Sequence, residues 1–195
     1  MTEENHAKVH SSYKNVQKSS SQNKKKELLS WILCLALAAV IAFTLRIFVF
    51  EFAIVKGESM ENTLHNRESV FVEKISKQKA EYEYNDILIV HYPNSSDAYV
   101  KRLVGLPGDT IEIKDDGYLY RNDERIYEPF IKDGTIFETY EKTTVPEGCI
   151  FVMGDNRNNS TDSRSSHVGP LEYNKVVGHA MFVVFPFSSI RTLDM

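Results

Sequence analysis

The sequence predicts a mostly β domain that follows one N-terminal transmembrane helix. Two observations lead to this fold class. Residues 28–45 form one uncharged apolar run, which is long enough to cross a bilayer as a helix. After Glu51 the chain consists of short runs rich in Val, Ile, Tyr and Phe, separated by clusters of Pro, Gly, Asn and Asp, a pattern typical of strands joined by turns. We therefore expect an antiparallel β-domain with barrel-like closure and a small appended β-ribbon.

Residues 1–26 are polar, rich in Ser, Asn and Lys, and without apolar periodicity. Because a segment of this composition cannot bury enough apolar surface to fold alone, we predict a disordered tail. The tail carries six lysines before the apolar run, whereas only Arg46 and Lys56 follow that run closely. Since positive charge is retained on the cytoplasmic side of a membrane, the tail is predicted to be cytoplasmic and the rest of the chain extracellular.

The apolar run is predicted to be a membrane anchor over residues 27–50. Its eighteen uncharged residues would span roughly 27 Å as a helix, close to the thickness of the hydrocarbon core. A cleaved secretory signal peptide is the alternative, and Ala36-Leu37-Ala38 offers a small-residue cleavage site. That tripeptide lies in the middle of the run, which favours an uncleaved, single-pass anchor surrounded by the lipid of the cell membrane.

The charge of the chain is distributed unevenly. Before Glu51 the net charge is +4, and from Glu51 onward it is −8. A domain with this excess of acid lacks the basic footprint of a nucleic-acid-binding protein, so no nucleic acid is expected as a partner. The two cysteines are far apart in the chain and no CxxC spacing is present, so we predict neither a disulfide framework nor a metal site.

Seven segments of the domain over residues 51–195 are predicted to be strands. They are residues 68–75, 86–92, 98–104, 109–113, 118–121, 149–153 and 176–184. Pro107-Gly108 has the residue order of a type II turn, with glycine where φ must be positive. Residues 115–147 are strongly charged and rich in loops, and we predict that they form the small inserted β-ribbon.

Ser59 is the first candidate for chemistry, and it lies in the segment 55–64. Gly57 would allow a substrate to approach the backbone closely, and Met60 offers an apolar wall. A serine hydroxyl is inert unless a base lies within hydrogen-bond reach. No histidine after the tail stands in a recognisable Ser-His-Asp context, and Glu61 replaces the last glycine of a GxSxG elbow. On these grounds alone, a solvated loop hydroxyl remains the alternative for Ser59.

Lys101 is the better candidate for the base. Side chains alternate between the faces of a strand, so Lys101 and Arg102 point to opposite sides. If Lys101 faces inward, the loss of hydration favours its neutral amine and lowers its pKa. Neutral lysine can accept the serine proton whereas arginine stays charged, so Arg102 is interpreted as structural. The alternative is a lysine on a solvated edge strand.

Three blocks carry a family resemblance. They read GESMENTL from Gly57, YVKRLVGLPGD from Tyr99 and MGDNRNNSTDSR from Met153. In this order, and after an N-terminal anchor, they resemble the conserved regions of bacterial type I signal peptidases in the compact Gram-positive form. The resemblance covers roughly residues 28–187. It implies a membrane-bound Ser–Lys endopeptidase that needs no cofactor and removes signal peptides from exported preproteins at small-x-small sites.

The resemblance also assigns roles to individual residues. Ser59 would be the nucleophile, Lys101 the general base, and Ser160 the residue that orients the lysine. The residues that brace the site would be Asp155, Arg157, Asp162 and Arg164. The pocket for the side chain before the cut would be lined by Val55, Met60, Leu64, Tyr99 and Val100.

The chain departs from the family pattern at two positions. Asn62 stands where the family usually has proline, which loosens the turn without removing a reactive group. Gly57 stands where some members have a serine hydroxyl that helps to hold the oxyanion. The oxyanion is therefore expected to depend on backbone N–H groups, with that of Ser59 the first candidate.

Two other functions are compatible with parts of the sequence. Self-cleaving repressors use Ser–Lys chemistry on a β fold, but they carry a DNA-binding domain where this chain has its apolar run. A non-catalytic signal-peptidase-like chaperone for surface-protein or pilus assembly is the second alternative. Such a chaperone would be expected to lack the nucleophile or the base, and this chain has both Ser59 and Lys101.

Overall fold

The computed structural model describes residues 3–193, with side chains from Lys26 onward apart from that of residue 78. The chain divides into a helical unit that ends at Arg46 and a β unit that begins at Ile47. The helix α1 spans Glu3–Phe48. Its apolar part, Lys26–Phe48, is 23 residues long with a mean hydropathy of 2.6, and is long and apolar enough to cross a bilayer.

The helix α1 begins within the segment 1–26 for which the sequence predicts disorder. No glycine or proline occurs between Glu3 and Phe48, so nothing in the chain interrupts the i to i−4 hydrogen bonds of a helix. The helix ends two residues before the expected end of the anchor because Phe50 already belongs to a strand. Apolar residues continue on both sides of Glu51 from residue 47 to residue 54, and no glycine or proline marks the change from helix to strand.

The described residues of the β unit contain twelve strands, one short α-helix and two single-turn 3-10 helices, Tyr173–Lys175 and Phe187–Ser189. In chain order the strands and the α-helix are β1 (Phe50–Ile54), β2 (Ser69–Glu73), α2 (Ile75–Lys79), β3 (Ile87–His91), β4 (Ala98–Gly105), β5 (Thr110–Ile113), β6 (Leu119–Arg121), β7 (Glu124–Arg125), β8 (Tyr140–Thr144), β9 (Cys149–Met153), β10 (Leu171–Glu172), β11 (Val176–Phe185) and β12 (Arg191–Thr192). All seven predicted strands are present. The sequence did not indicate β1, β10 or β12, and for β7 and β8 it predicted only a β-ribbon over residues 115–147 without the bounds of these strands.

The main sheet is an open, antiparallel half-barrel. Its order is β1-β2-β11-β3-β4-β9-β10, with β12 paired to β11. The antiparallel β fold is thereby confirmed, and β1 and β10 are the two edges of the sheet. A second sheet of four strands, in the order β7-β6-β5-β8, forms the smaller β-ribbon. It includes β5, which lies before the predicted start of the insert at residue 115.

Three apolar clusters hold these sheets together. The first contains Met60 and Leu64 from the loop after β1 together with residues of β2, β3 and β11. The second lies between β3, β4, β9 and β11, and includes Leu103. The third lies between the ribbon and β9, and includes Ile111 and Phe151. Because β4 and β9 contribute to more than one cluster, they fix the ribbon against the main sheet.

Candidate active site

The loop that carries Ser59 is folded into a tight turn and fixed by its apolar residues. The backbone N–H groups of Thr63 and Leu64 both donate to the carbonyl oxygen of Met60, at 3.0 and 2.8 Å. The side chains of Met60 and Leu64 are 2% and 0% exposed in the first cluster. At the base of the loop, Val55 N–H donates to the carbonyl oxygen of Glu68 at 2.8 Å. Apolar burial on both sides of the turn therefore positions Ser59 at its surface.

Lys101 lies in hydrogen-bond contact with Ser59. The Lys101 Nζ atom is 2.6 Å from Ser59 Oγ, and the lysine is only 2% exposed. Burial lowers the pKa of Lys101 to about 8, because it removes the ammonium from water; the carboxylates of Asp162 and Asp155 oppose this effect, and Arg164 adds to it. The arrangement can therefore remove a proton from a serine hydroxyl near neutral pH.

The third block holds the backbone of the serine loop directly. Asn156 N–H donates to the carbonyl oxygen of Ser59 at 3.0 Å, and Asn156 Nδ2 donates to that of Glu58 at 3.1 Å. Gly154 packs tightly against the same backbone, since a Cβ atom at this position would lie 2.4 Å from the Ser59 carbonyl oxygen and 2.3 Å from Ser160 Oγ. Only glycine allows so close an approach.

Asp162 links the same block to Arg164. The Arg164 Nε and Nη2 atoms donate to Asp162 at 2.8 and 2.9 Å, and Gly154 N–H donates to Asp162 Oδ2 at 3.0 Å. Burial would raise the pKa of Asp162, but the hydrogen bonds and charge of Arg164, with the Gly154 N–H, hold it below its usual range. Asp162 is therefore a carboxylate at neutral pH, and its negative charge acts on Lys101.

Arg102 and Asp155 form a second, fully buried ion pair behind the site. Arg102 Nε and Nη2 donate to the two carboxylate oxygens of Asp155 at 2.8 and 2.6 Å, and both side chains are 0% exposed. Thr63 Oγ1 also donates to Asp155. The pair joins the strand that carries Lys101 to the third block and to the serine loop, in agreement with the structural role expected for Arg102.

Ser160 is close to the site but does not contact Lys101 by a hydrogen bond. Its hydroxyl is buried without a partner of normal hydrogen-bond geometry among the described residues. It lies near enough to Asp162 to help keep the pKa of that carboxyl low. The orienting role that the family resemblance implies for Ser160 is not visible as a direct contact.

The expected pocket residues fall into two groups. Val55, Met60 and Leu64 belong to the first cluster, and Val100 packs against it. Tyr99 instead packs against the second cluster, and its ring stacks on that of Tyr92 at a centroid distance of 4.0 Å. The structure therefore brings four of the five expected pocket residues together and directs Tyr99 elsewhere.

Two residues that brace the site were not indicated by the sequence. Glu128 in the insert forms a bidentate ion pair with Arg157, with oxygen–nitrogen distances of 2.6 and 2.8 Å. Asn156, described above, holds the serine loop. The insert contains many acidic residues, so nothing in the sequence distinguished Glu128 from its neighbours. Asn156 lies inside the third block, and this position was the one feature of the sequence that could have indicated a role in the site.

The strand β4 has an open edge beside Ser59. On one side all of Ala98 to Arg102 pairs with β3. On the other side the pairing with β9 begins only at Arg102, opposite Met153. Among the described residues, no strand pairs with Ala98 to Lys101 on that side. Unpaired backbone of this kind can accept an extended peptide as an additional strand.

In comparisons with known proteins, the family model and the relatives that match this chain are all signal peptidases. The family model described as signal peptidase, peptidase S26, matches residues 28–185. Signal peptidase I of Bacillus licheniformis is 40% identical over 183 residues, which cover 89% of this chain and 97% of that protein. Signal peptidase I S of Bacillus subtilis (strain 168) is 40% identical over 185 residues, covering 89% and 98%. A crystal structure of a signal peptidase I from Enterococcus faecalis is 30% identical, with a TM-score of 0.41, and covers 51% of this chain and 96% of that one.

Proposed function

Since the chain belongs to the signal peptidase family, peptidase S26, we propose that it is a membrane-bound serine endopeptidase that removes signal peptides with a Ser59–Lys101 dyad. The observation that carries this proposal is the 2.6 Å contact between Lys101 Nζ and Ser59 Oγ. The lowered pKa of the lysine supports it. Nucleophile and base are thus within reach of each other, and the base can be neutral at a physiological pH.

In the proposed reaction, neutral Lys101 accepts the proton of the Ser59 hydroxyl while Oγ attacks the carbonyl carbon of the scissile peptide bond. The resulting ammonium then gives that proton to the leaving amine as the C–N bond breaks, and an ester with Ser59 remains. Lys101, neutral again, takes a proton from water as the water attacks the ester carbonyl carbon. The bond between that carbon and Ser59 Oγ then breaks, Lys101 returns the proton to Oγ, and the new carboxyl end of the signal peptide is released. Because residue 57 is glycine, the oxyanion depends on backbone N–H groups, with that of Ser59 the first candidate.

The substrate is proposed to bind as an extended chain along the open edge of β4. Main-chain hydrogen bonds to Ala98–Lys101 would provide affinity, and side-chain pockets would provide specificity. Val55, Met60 and Leu64 are nearly or fully buried, so they expose too little surface to form a deep pocket for a large side chain. We expect small residues such as alanine or glycine before the cut, and hence preproteins with small-x-small cleavage sites as substrates.

Residues 27–50 are proposed to anchor the protein in the cell membrane as a single span. Most of this segment belongs to the apolar stretch Lys26–Phe48, which has no buried residue, and six lysines precede residue 27. The charge difference supports a cytoplasmic position for the tail, residues 1–26. The catalytic domain, residues 51–195, is then extracellular, where exported preproteins present their cleavage sites.

The function is tested with the purified full-length protein in detergent. A preprotein with a small-x-small site is added, and the product is identified by mass spectrometry and N-terminal sequencing. We expect one cut directly after the second small residue. Binding of the preprotein without any cut would contradict the proposal, and would support the non-catalytic chaperone of surface-protein or pilus assembly.

A further inference from the structure

One short segment of the insert contacts all three blocks of the proposed active site. Residues 128–132, here called the strap, lie between β7 and β8 and belong to no strand or helix. The three blocks come from distant parts of the chain, and each has contacts of its own with the others. The strap contacts all three blocks at once, through both buried charged side chains and backbone groups.

The strongest contact of the strap is made by Glu128. Both oxygens of this carboxylate accept hydrogen bonds from Arg157, and the two side chains are 6% and 1% exposed. Arg157 Nε in turn donates to the carbonyl oxygen of Gly154 at 2.9 Å. Gly154 is the residue that packs against the backbone of Ser59. Glu128 therefore supports the nucleophile through two intermediate residues.

The next residues of the strap contact the buried ion pair behind Lys101. The guanidinium carbon of Arg102 lies 3.8 Å from the centroid of the Phe130 ring, and Phe130 is 8% exposed. Lys132 N–H donates to the backbone carbonyl oxygen of Asp155 at 3.1 Å. The strap thus covers the face of Arg102 and holds the backbone of its partner Asp155.

The end of the strap contacts the serine loop itself. Asn62 Nδ2 donates to the carbonyl oxygen of Ile131 at 3.3 Å, and Lys132 forms an ion pair with Glu61. Asn62 has a φ of 77°, a left-handed conformation that asparagine tolerates better than most residues and that proline cannot adopt. The hydrogen bond to the strap holds the serine loop at this unusual residue.

We infer that the strap is a positioning element of the active site, and that Glu128 is its principal positioning residue. This inference rests on the proposed function, because it concerns the geometry of the Ser59–Lys101 contact. The strap touches neither reacting atom. It acts by holding Gly154, Arg102 and the serine loop, so that Ser59 Oγ and Lys101 Nζ stay within hydrogen-bond distance and Lys101 stays out of water.

A positioning role makes specific predictions for Glu128→Gln, which keeps the shape of the side chain and removes its charge. Displacement of catalytic groups by about 1 Å can reduce the rate about 100-fold, so we expect kcat to fall about 100-fold. KM should change little, because the strap does not contact the open edge of β4. Water that reaches the loosened site should raise the pKa seen in the pH profile of kcat/KM from about 8 towards the ordinary lysine value.

This pH profile distinguishes positioning from general stabilisation. The charged groups that act on Lys101 are Asp162, Asp155 and Arg164, and all three are retained in the variant. If Glu128 only stabilised the fold, activity would fall in proportion to the unfolded fraction, and the pKa in the profile would stay at its wild-type value. That result, or a wild-type kcat, would overturn the inference.

Asn62→Asp is the second variant, since Asn62 is exposed and its replacement leaves the core intact. Aspartate also tolerates the left-handed conformation but cannot donate to Ile131. Because one hydrogen bond is worth a factor of about three to ten in an equilibrium constant, we expect kcat to fall by about that factor while circular dichroism shows a folded protein at the assay temperature. An unchanged kcat would count against the strap.

The matched control is Glu124→Gln, an exposed glutamate of the same insert, which should behave as wild type. The wild-type enzyme, assayed in the same series, separates the two proposals. If it does not cleave the preprotein, the proposed function is wrong. If it does and the Glu128 variant matches it, only the inference about the strap is wrong.

Discussion

Gly154 lies so close to Ser59 that a Cβ atom at residue 154 would be 2.4 Å from the Ser59 carbonyl oxygen. Both partners are backbone groups, so the contact cannot be relieved by a change of rotamer. Gly154 also donates its N–H to Asp162 and offers its carbonyl oxygen to Arg157. The backbone of one residue therefore connects the nucleophile loop to two charged side chains of the third block.

Gly154→Ala should displace the serine loop and reduce kcat about 100-fold, the effect expected of a shift of about 1 Å. The measurement is kcat on a preprotein or a signal-peptide substrate. Gly169→Ala is the control, because a Cβ atom there meets open space at a φ of 64°. We expect this control to lose about 1 kcal/mol of stability and to keep its activity. Equal activities of the two variants would contradict the role given to Gly154.

Ser59→Ala should abolish cleavage while the protein still folds. Removal of one member of a concerted catalytic site reduces kcat roughly 10⁴-fold or more, and the Ser59 side chain makes one hydrogen bond, that with Lys101. Cleavage is followed by gel and mass spectrometry, and folding by circular dichroism. Retained cleavage would require a different nucleophile, and Ser160 would then be tested first.

Lys101→Arg should be as inactive as Lys101→Ala. Arginine keeps the positive charge but remains protonated at every working pH, so it cannot accept the serine proton. For the wild-type enzyme, kcat/KM should rise as the pH increases through about 8, where Lys101 becomes neutral. Lys77→Arg, at an exposed lysine of α2 outside the site, is the control. Substantial activity of Lys101→Arg, or a flat wild-type profile between roughly pH 6 and 10, would refute the role of Lys101 as base.

The buried lysine should also leave a signature in stability. Its folded-state pKa, about 8, lies below its model value of 10.5, so between these pH values the unfolded chain binds more protons than the folded one. Stability from this group therefore rises with pH through that window. The Lys101→Met variant has no group that titrates at this position. The difference between its free energy of unfolding and that of the wild type should therefore change by about 3 kcal/mol in favour of the wild type between neutral pH and about pH 11.

The comparison is made by urea unfolding of both proteins at each pH, since other titrating groups then affect both alike. A difference that does not depend on pH would show that Lys101 has an ordinary pKa in the folded state. That outcome would remove the support that burial gives to the proposed base.

The proposed topology predicts a pattern of protease accessibility. Protease added outside intact cells should attack the chain after Glu51 and spare the lysine-rich tail, because the membrane protects the cytoplasmic side. The fragments are identified with antibodies against each end of the chain. Tail cleavage in lysed cells is the control for accessibility. A C-terminal domain protected in intact cells would contradict both the orientation and the proposed place of cleavage.

The strands that the sequence predicted share a clear local signal. Segments such as β3 and β9 are runs of β-branched and aromatic residues between turn residues, and their bounds agree with the structure within one or two residues. The sequence did not indicate β1, because its five residues directly follow the anchor and lack a turn signal before them. It missed β8 because Tyr140–Thr144 is polar and largely exposed, so burial does not shape its composition.

The site shows a similar division. Side-chain chemistry and the strand pattern made Ser59 and Lys101 candidates but left alternatives open for both, and their pairing was assigned by the resemblance of the three blocks to the signal peptidases. The pairing of Glu128 with Arg157 joins residues 29 positions apart, and neither one alternates with apolar neighbours in a way that marks it as buried. Tyr99, which the family resemblance assigns to the substrate pocket, stacks on Tyr92, and nothing in the sequence around either residue marks the two rings as partners.

The proposed binding of the substrate along the open edge of β4 restricts the backbone conformation of the peptides that the enzyme can bind. A peptide that pairs with Ala98–Lys101 must be fully extended, so its successive side chains point alternately towards the enzyme and away from it. A shift by one residue would exchange these two sets. The side chains at the first and third positions before the cut therefore lie on the same face of the extended peptide and can both point towards the enzyme. The alternation of side chains along an extended strand would therefore explain why the small residues of a small-x-small cleavage site are two positions apart.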